Sequence, residues 1–128
     1  MSETYCLFCD KDNTKEHTII DENELFYARK DNFPVTKGHT EIVIKKHLES
    51  FFELTNDEIL ELFDLMKKVK NTLQEEYHPD GFNVGINDGE TAGRTIHHLH
   101  IHIIPRYTGD VENPKGGVRN IILGKGDY

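Results

Sequence analysis

His98-Leu99-His100-Ile101-His102-Ile103-Ile104 alternates imidazole with aliphatic side chains. Successive residues of an extended strand point to opposite faces, so this stretch predicts a half-buried strand with three imidazoles on one side and aliphatics on the other. With a rise of about 3.3 Å per residue, same-face positions stand about 6.6 Å apart, and the three rings span one small site. Four of the eight histidines fall at 97, 98, 100 and 102. Two chemistries use such a comb. Alternate imidazoles can present nitrogens to one catalytic zinc or iron, with further ligands from another strand. Alternatively, the middle imidazole attacks phosphorus: it is largely neutral at pH 7, and the P–N bond it forms can be cleaved by water. A carbonyl accepting from one ring nitrogen would leave the other free to attack.

Working outward, the pattern around this strand implies an α+β domain. Thr55 and Glu58 form a capping-box signature, and Ile59, Leu62, Phe63, Met66, Val69 and Leu73 recur at helical spacing, predicting a helix over 56–77. His78-Pro79-Asp80-Gly81 supplies the turn that ends it. Short strands are expected at 17–21, 24–30 and 40–45 before the helix and at 82–87 and 95–105 after it. Asp21-Glu22-Asn23 reads as a hairpin turn and Lys37-Gly38 as the turn into the third strand. Strands joined by short turns beside one long helix imply an antiparallel sheet. From Thr108 the chain becomes Gly-rich and loop-like, with one short strand expected over 118–123.

Length and charge bound the partners. The 128 residues suffice for one domain with its own core, read as spanning 1–128 with a loop-rich tail over about 108–128. No apolar run approaches the roughly 18 residues needed to span a bilayer. Residues 1–12 lack the basic flank and apolar stretch of a secretory signal, so a cytoplasmic chain is expected. The net charge of -8 argues against a long nucleic acid as partner. That charge is uneven, with residues 1–93 netting -10 and residues 94–128 netting +2, so an anion site belongs to the last third. Two cysteines make no disulfide framework. Cys6-x-x-Cys9 has the spacing of half a structural zinc site and lacks the flanking strand and helix of a redox motif; unliganded thiols are the other reading.

The seven-residue stretch resembles the histidine triad motif of the HIT superfamily of nucleotide hydrolases and transferases. Three further blocks are similar to that family in its order: Cys6-Leu7-Phe8-Cys9, Val35-Thr36-Lys37-Gly38-His39-Thr40 followed by Val43-Ile44-Lys45-Lys46-His47, and Asn87-Asp88-Gly89-Glu90-Thr91-Ala92-Gly93. The resemblance implies a five-stranded antiparallel sheet with one long helix, paired as a homodimer. It implies that His100 attacks the α-phosphorus of a nucleotide conjugate, giving a nucleotidyl-histidine that water hydrolyses. It places His102 against phosphate and leaving group, Thr95 and Asn87 as phosphate donors and Asp31 on the ribose hydroxyls. In zinc-binding members the remaining ligands resemble His47 and His98, which with Cys6 and Cys9 would hold a structural zinc. The family usually has Gln four residues before the first triad histidine; here it is Arg94, which pairs bidentately with phosphate and is expected to favour substrates with extra phosphates.

The expected partner is therefore a small nucleotide conjugate, either a dinucleoside polyphosphate or a nucleotide phosphoramidate. A metal-dependent hydrolase using the histidine strand as ligands, and a non-enzymatic nucleotide- or zinc-binding module, are the alternatives. The segment Asn113-Pro114-Lys115-Gly116-Gly117-Val118-Arg119 fits either a phosphate-contacting loop or a surface loop.

Overall fold

Short β-rich segments and one amphipathic helix leave a single economical packing, a sheet with one face covered. A computed structural model describes residues 5–128; residues 1–4 lie outside it. The strands are β1 (Ile19–Glu22), β2 (Phe26–Lys30), β3 (Thr40–Ile44), β4 (Gly81–Gly85) and β5 (His100–Arg106), and the helix is α1 (Asn56–Tyr77). They form one five-stranded sheet in the order β1-β2-β3-β5-β4, every neighbouring pair antiparallel. Among the described residues no helix is long and apolar enough to cross a membrane.

Helix α1 starts where the sequence signals it. Thr55 Oγ1 accepts from the Glu58 amide at 3.2 Å, while Glu58 Oε1 accepts from the Thr55 amide at 2.9 Å. It ends at His78, whose left-handed backbone (φ 52°) lets its amide donate to the Gln74 carbonyl at 3.1 Å. The buried stripe is Leu62, Leu65, Val69 and Leu73: Leu62, Val69 and Leu73 lie where the spacing puts them, Leu65 joins them, and Phe63 is 53% exposed on the flank. This stripe packs against Phe26, Ala28, Ile42, Ile44, Leu99, Ile101 and Ile103, which the alternation of β2, β3 and β5 turns to the helix side. Burial of each large aliphatic contributes about 1.5–3 kcal/mol. The helix thus seals one sheet face, and polar side chains of the central strands must gather on the other.

Asp21 and Glu22, expected in the hairpin turn, belong to β1, and the turn is formed by residues 23–25. Two further expectations about strand extent are corrected. The fifth strand begins at His100 rather than residue 95, because residues 95–99 turn to carry His98 under β3. Residues 118–123 form no strand: Gly116 and Gly117 both take positive φ and coil the chain into a 3-10 turn, Gly117–Ile121.

The turn into β3 depends on Gly38, whose φ is +87° and whose added Cβ would meet Tyr77 Cδ2 at 2.8 Å and Pro105 Cγ at 3.2 Å. Gly38→Ala is expected to lose about 1–3 kcal/mol of stability in chemical denaturation, from the strained backbone together with this contact. Gly81→Ala, where a Cβ meets nothing within 4 Å, is the comparison that isolates the effect.

Candidate active site and metal centre

On the open face, antiparallel register sets a polar row across the sheet: Arg29 of β2 lies opposite Glu41 of β3, which lies opposite His102 of β5. The next row is Tyr27, Val43 and His100. Phe8 caps these rows, its ring edge-on to the His100 ring at 4.9 Å and beneath the Arg29 guanidinium at 5.1 Å. Burial pushes the Tyr27 hydroxyl up, so it stays protonated and donates to the Phe8 carbonyl at 2.6 Å.

Each imidazole has a partner that selects its tautomer. His100 Nδ1–H donates to the His98 carbonyl at 2.8 Å, leaving the Nε2 lone pair free. His39 Nδ1 accepts from the Val35 amide at 3.2 Å, so its Nε2–H faces His102 Nδ1 at 2.9 Å. His102 therefore carries its own proton on Nε2. His98 Nε2–H donates to the Ile44 carbonyl at 2.6 Å and turns Nδ1 toward Cys6 Sγ (3.4 Å) and Cys9 Sγ (3.3 Å). Burial holds His39, His98, His100 and His102 below the ordinary histidine range, so all four are neutral at pH 7.

Cys6, Cys9, His47 and His98 form one cluster, with a ligand atom of each within 4.8 Å of the others. His47 Nδ1 stands 3.2 Å from Cys9 Sγ. Burial, and then Cys6 beside it, push the Cys9 thiol up to about 11, because two thiolates this close repel unless a cation lies between them. Two cysteines and two histidines with free nitrogens make a donor set that fits tetrahedral zinc.

The other expected site residues are placed less uniformly. Asp31 lies beside the His39–His102 pair, its Oδ2 3.5 Å from His39 Nε2 and its Oδ1 accepting from the Phe33 amide at 2.7 Å. Asn87 and Thr95 are exposed, and among the described residues neither side chain is hydrogen-bonded. Arg94 is held by Glu49 through its Nη2 to Oε1 and its Nη1 to the backbone carbonyl, both at 3.2 Å, and its Nε donates to His97 Nδ1. His97 is exposed, since the strand has not begun there. Sequence reading missed His39 and the buried pair Arg29–Glu41. An acidic residue inside the strand Thr40-Glu41-Ile42-Val43-Ile44 is the available signal, since period two puts Glu41 on the face opposite Ile42 and Ile44.

A family model described as the HIT domain matches residues 12–109. A HIT-like protein of Methanocaldococcus jannaschii is 40% identical over 120 residues, covering 92% of each chain. A bis(5′-adenosyl)-triphosphatase of Dictyostelium discoideum is 33% identical over 101 residues, 74% of this chain and 68% of the relative. A zinc-bound histidine triad family protein from Mycobacterium smegmatis, a solved structure, matches with a TM-score of 0.75 at 30% identity, covering 84% of this chain and 79% of that one.

The tautomers are directly measurable. Nitrogen-15 NMR at pH 7 is expected to find His100 protonated on Nδ1 and His102 on Nε2, with both rings neutral and turning cationic only below the ordinary histidine range. The reverse tautomers would contradict this hydrogen-bond assignment.

Proposed function

The chain belongs to the HIT family, and from that premise we propose that it is a nucleotide hydrolase in which His100 is the nucleophile. The observation that carries this reading is the Nδ1–H bond from His100 to the His98 carbonyl, which leaves the Nε2 lone pair without a hydrogen-bond donor on a buried, neutral ring. Attack of Nε2 on the α-phosphorus forms a P–N bond as the bond to the leaving group breaks. Water then cleaves the P–N bond and releases a nucleoside monophosphate. The substrate is a dinucleoside polyphosphate or a nucleotide phosphoramidate; the first class is supported by the Dictyostelium relative's name.

The remaining roles follow from position. His102 Nε2–H faces the leaving group and His98 supplies the carbonyl that orients His100. Asn87 and Thr95, free of internal partners, donate to phosphate oxygens where charge develops. Asp31, partly exposed beside His39, takes the ribose hydroxyls. Arg94 favours substrates with extra phosphates, and to reach them it leaves Glu49. A zinc held by Cys6, Cys9, His47 and His98 is structural, and what it supplies is a crosslink between the N-terminal segment, the turn after β3 and the entry to β5. A reducing, cytoplasmic setting suits the two free thiols.

The homodimer is supported by the outer edge of β4, which pairs with no strand among the described residues, and by the apolar groove of Phe63, Met66, Phe82 and Val84 beside it. A second copy adding its own β4 would cover both.

A turnover screen of diadenosine polyphosphates and nucleotide phosphoramidates tests the reaction. His100→Asn is expected to lower kcat by about 10⁴–10⁶-fold, the range for removing a covalent nucleophile. Quenched wild-type reactions should carry the nucleotide on His100 by mass spectrometry, with chelator present; activity restored only by added metal would select the metal-dependent hydrolase instead. Elemental analysis is expected to find one zinc per chain, lost in Cys9→Ser together with thermal stability. Sedimentation should find a dimer that Val84→Asp dissociates.

A further inference from the structure

Glu41 is a buried acidic group of the site that the reaction above leaves without a task. It is a carboxylate at 5% exposure, brought to the histidine face by period-two alternation and opposite His102 by register. Its Oε1 accepts from Arg29 Nη1 at 2.5 Å. Arg29 is itself fixed by His17 Nδ1 at 2.8 Å and the Glu16 carbonyl at 2.9 Å, so the carboxylate cannot swing away. Its other oxygen, Oε2, stands 3.9 Å from both His100 Nε2 and His102 Nδ1. The charged and titratable groups facing it are Arg29 from β2, Asp31 just beyond β2, His39 ahead of β3, and His100 and His102 from β5.

The chemistry of His102 explains why such a group is needed. In its Nε2–H form, a neutral ring that gives this proton to a leaving group becomes an imidazolate unless Nδ1 gains a proton at the same time. His39 cannot be that source, because losing Nε2–H would make it an imidazolate in turn. Burial, followed by the Asp31 charge, outweighs the Arg29 guanidinium and pushes the Glu41 carboxyl up to about 7, where it exchanges protons near neutrality.

Building on His100 as the nucleophile, we infer that Glu41 is a positioning residue that holds the proton for catalysis and passes it through His102. In the first step Glu41 Oε2–H gives its proton to His102 Nδ1, and His102 Nε2–H gives its own to the bridging atom of the leaving group. The phosphorus–bridging-atom bond breaks as the P–N bond to His100 forms. His39 Nε2–H turns from His102 to Asp31 Oδ2, 3.5 Å away. In the second step water attacks phosphorus and breaks the P–N bond. Its proton goes to His102 Nε2, and the Nδ1 proton returns to Glu41. Every proton and electron pair is restored at the end of the cycle, and the closure of Oε2 onto Nδ1 belongs to the substrate complex, where catalytic hydrogen bonds tighten.

The test is a series of aryl esters of adenosine 5′-phosphate, from 4-nitrophenyl, whose phenolate departs unaided, to phenyl, which needs a proton. Glu41→Gln is expected to lower kcat/KM on the phenyl ester by about 100-fold more than on the 4-nitrophenyl ester, the contribution of one acid-base group. The wild-type rate on the phenyl ester should fall as pH rises past about 7, since Glu41 has then lost its proton, and the variant should lack that limb. The double variant Glu41→Leu with Arg29→Met, which removes both buried charges, should show the same split if Glu41→Gln folds poorly. Equal losses across the series, in either variant, would overturn the role of Glu41. A wild-type protein with no nucleotide on His100 after quenching would overturn the nucleophile and this proposal with it, whereas the adduct with equal losses overturns this proposal alone.

Discussion

The hydrogen bond from His100 Nδ1–H to the carbonyl of His98 is the interaction on which the rest of the site depends. It fixes a tautomer, and it ties the His100 ring to a residue whose own side chain is engaged elsewhere. The His98 ring is pinned by the Ile44 carbonyl on one nitrogen and faces two cysteines with the other. One residue therefore joins the Cys/His cluster to the His100 ring through its backbone, and displacement of the His98 ring would move the carbonyl that aims His100.

That arrangement is possible because the sheet is two-sided in a strict sense. Leu99, Ile101 and Ile103 are taken by the helix side, so His98, His100 and His102 have only the other face. The same alternation in β2 and β3 sends Arg29 and Glu41 there as a buried ion pair, and N-terminal Phe8 lies across them. Isolated, such a pair costs desolvation; with both partners fixed and hydrogen-bonded, it sets a proton-exchanging carboxyl next to two imidazoles and away from bulk water.

Much of this was legible in the sequence, and the failures have physical causes. Helix α1 carries its caps and its period locally, so Asn56 and Tyr77 are its observed ends as well as its expected ones. The alternation at 98–104 separates the histidine face from the helix-covered face. Phe63 lies on the flank, and apolar spacing alone does not separate the stripe under the helix from its edge; β5 starts late because residues 95–99 answer to His98's partners rather than to strand propensity. Arg29 and Glu41 were overlooked for a different reason: each looks like an ordinary strand charge until register sets them side by side. Arg94 shows only its charge in the sequence, and the fold adds Glu49, 45 residues away, to hold it.

The central claim is a double displacement at phosphorus on His100, and the stereochemistry of the product decides it. A substrate carrying a chiral α-thiophosphate, hydrolysed in oxygen-18 water, should give product with net retention, because two in-line attacks each invert the centre. Net inversion would mean that water attacks in one step, and the covalent role of His100 would be wrong.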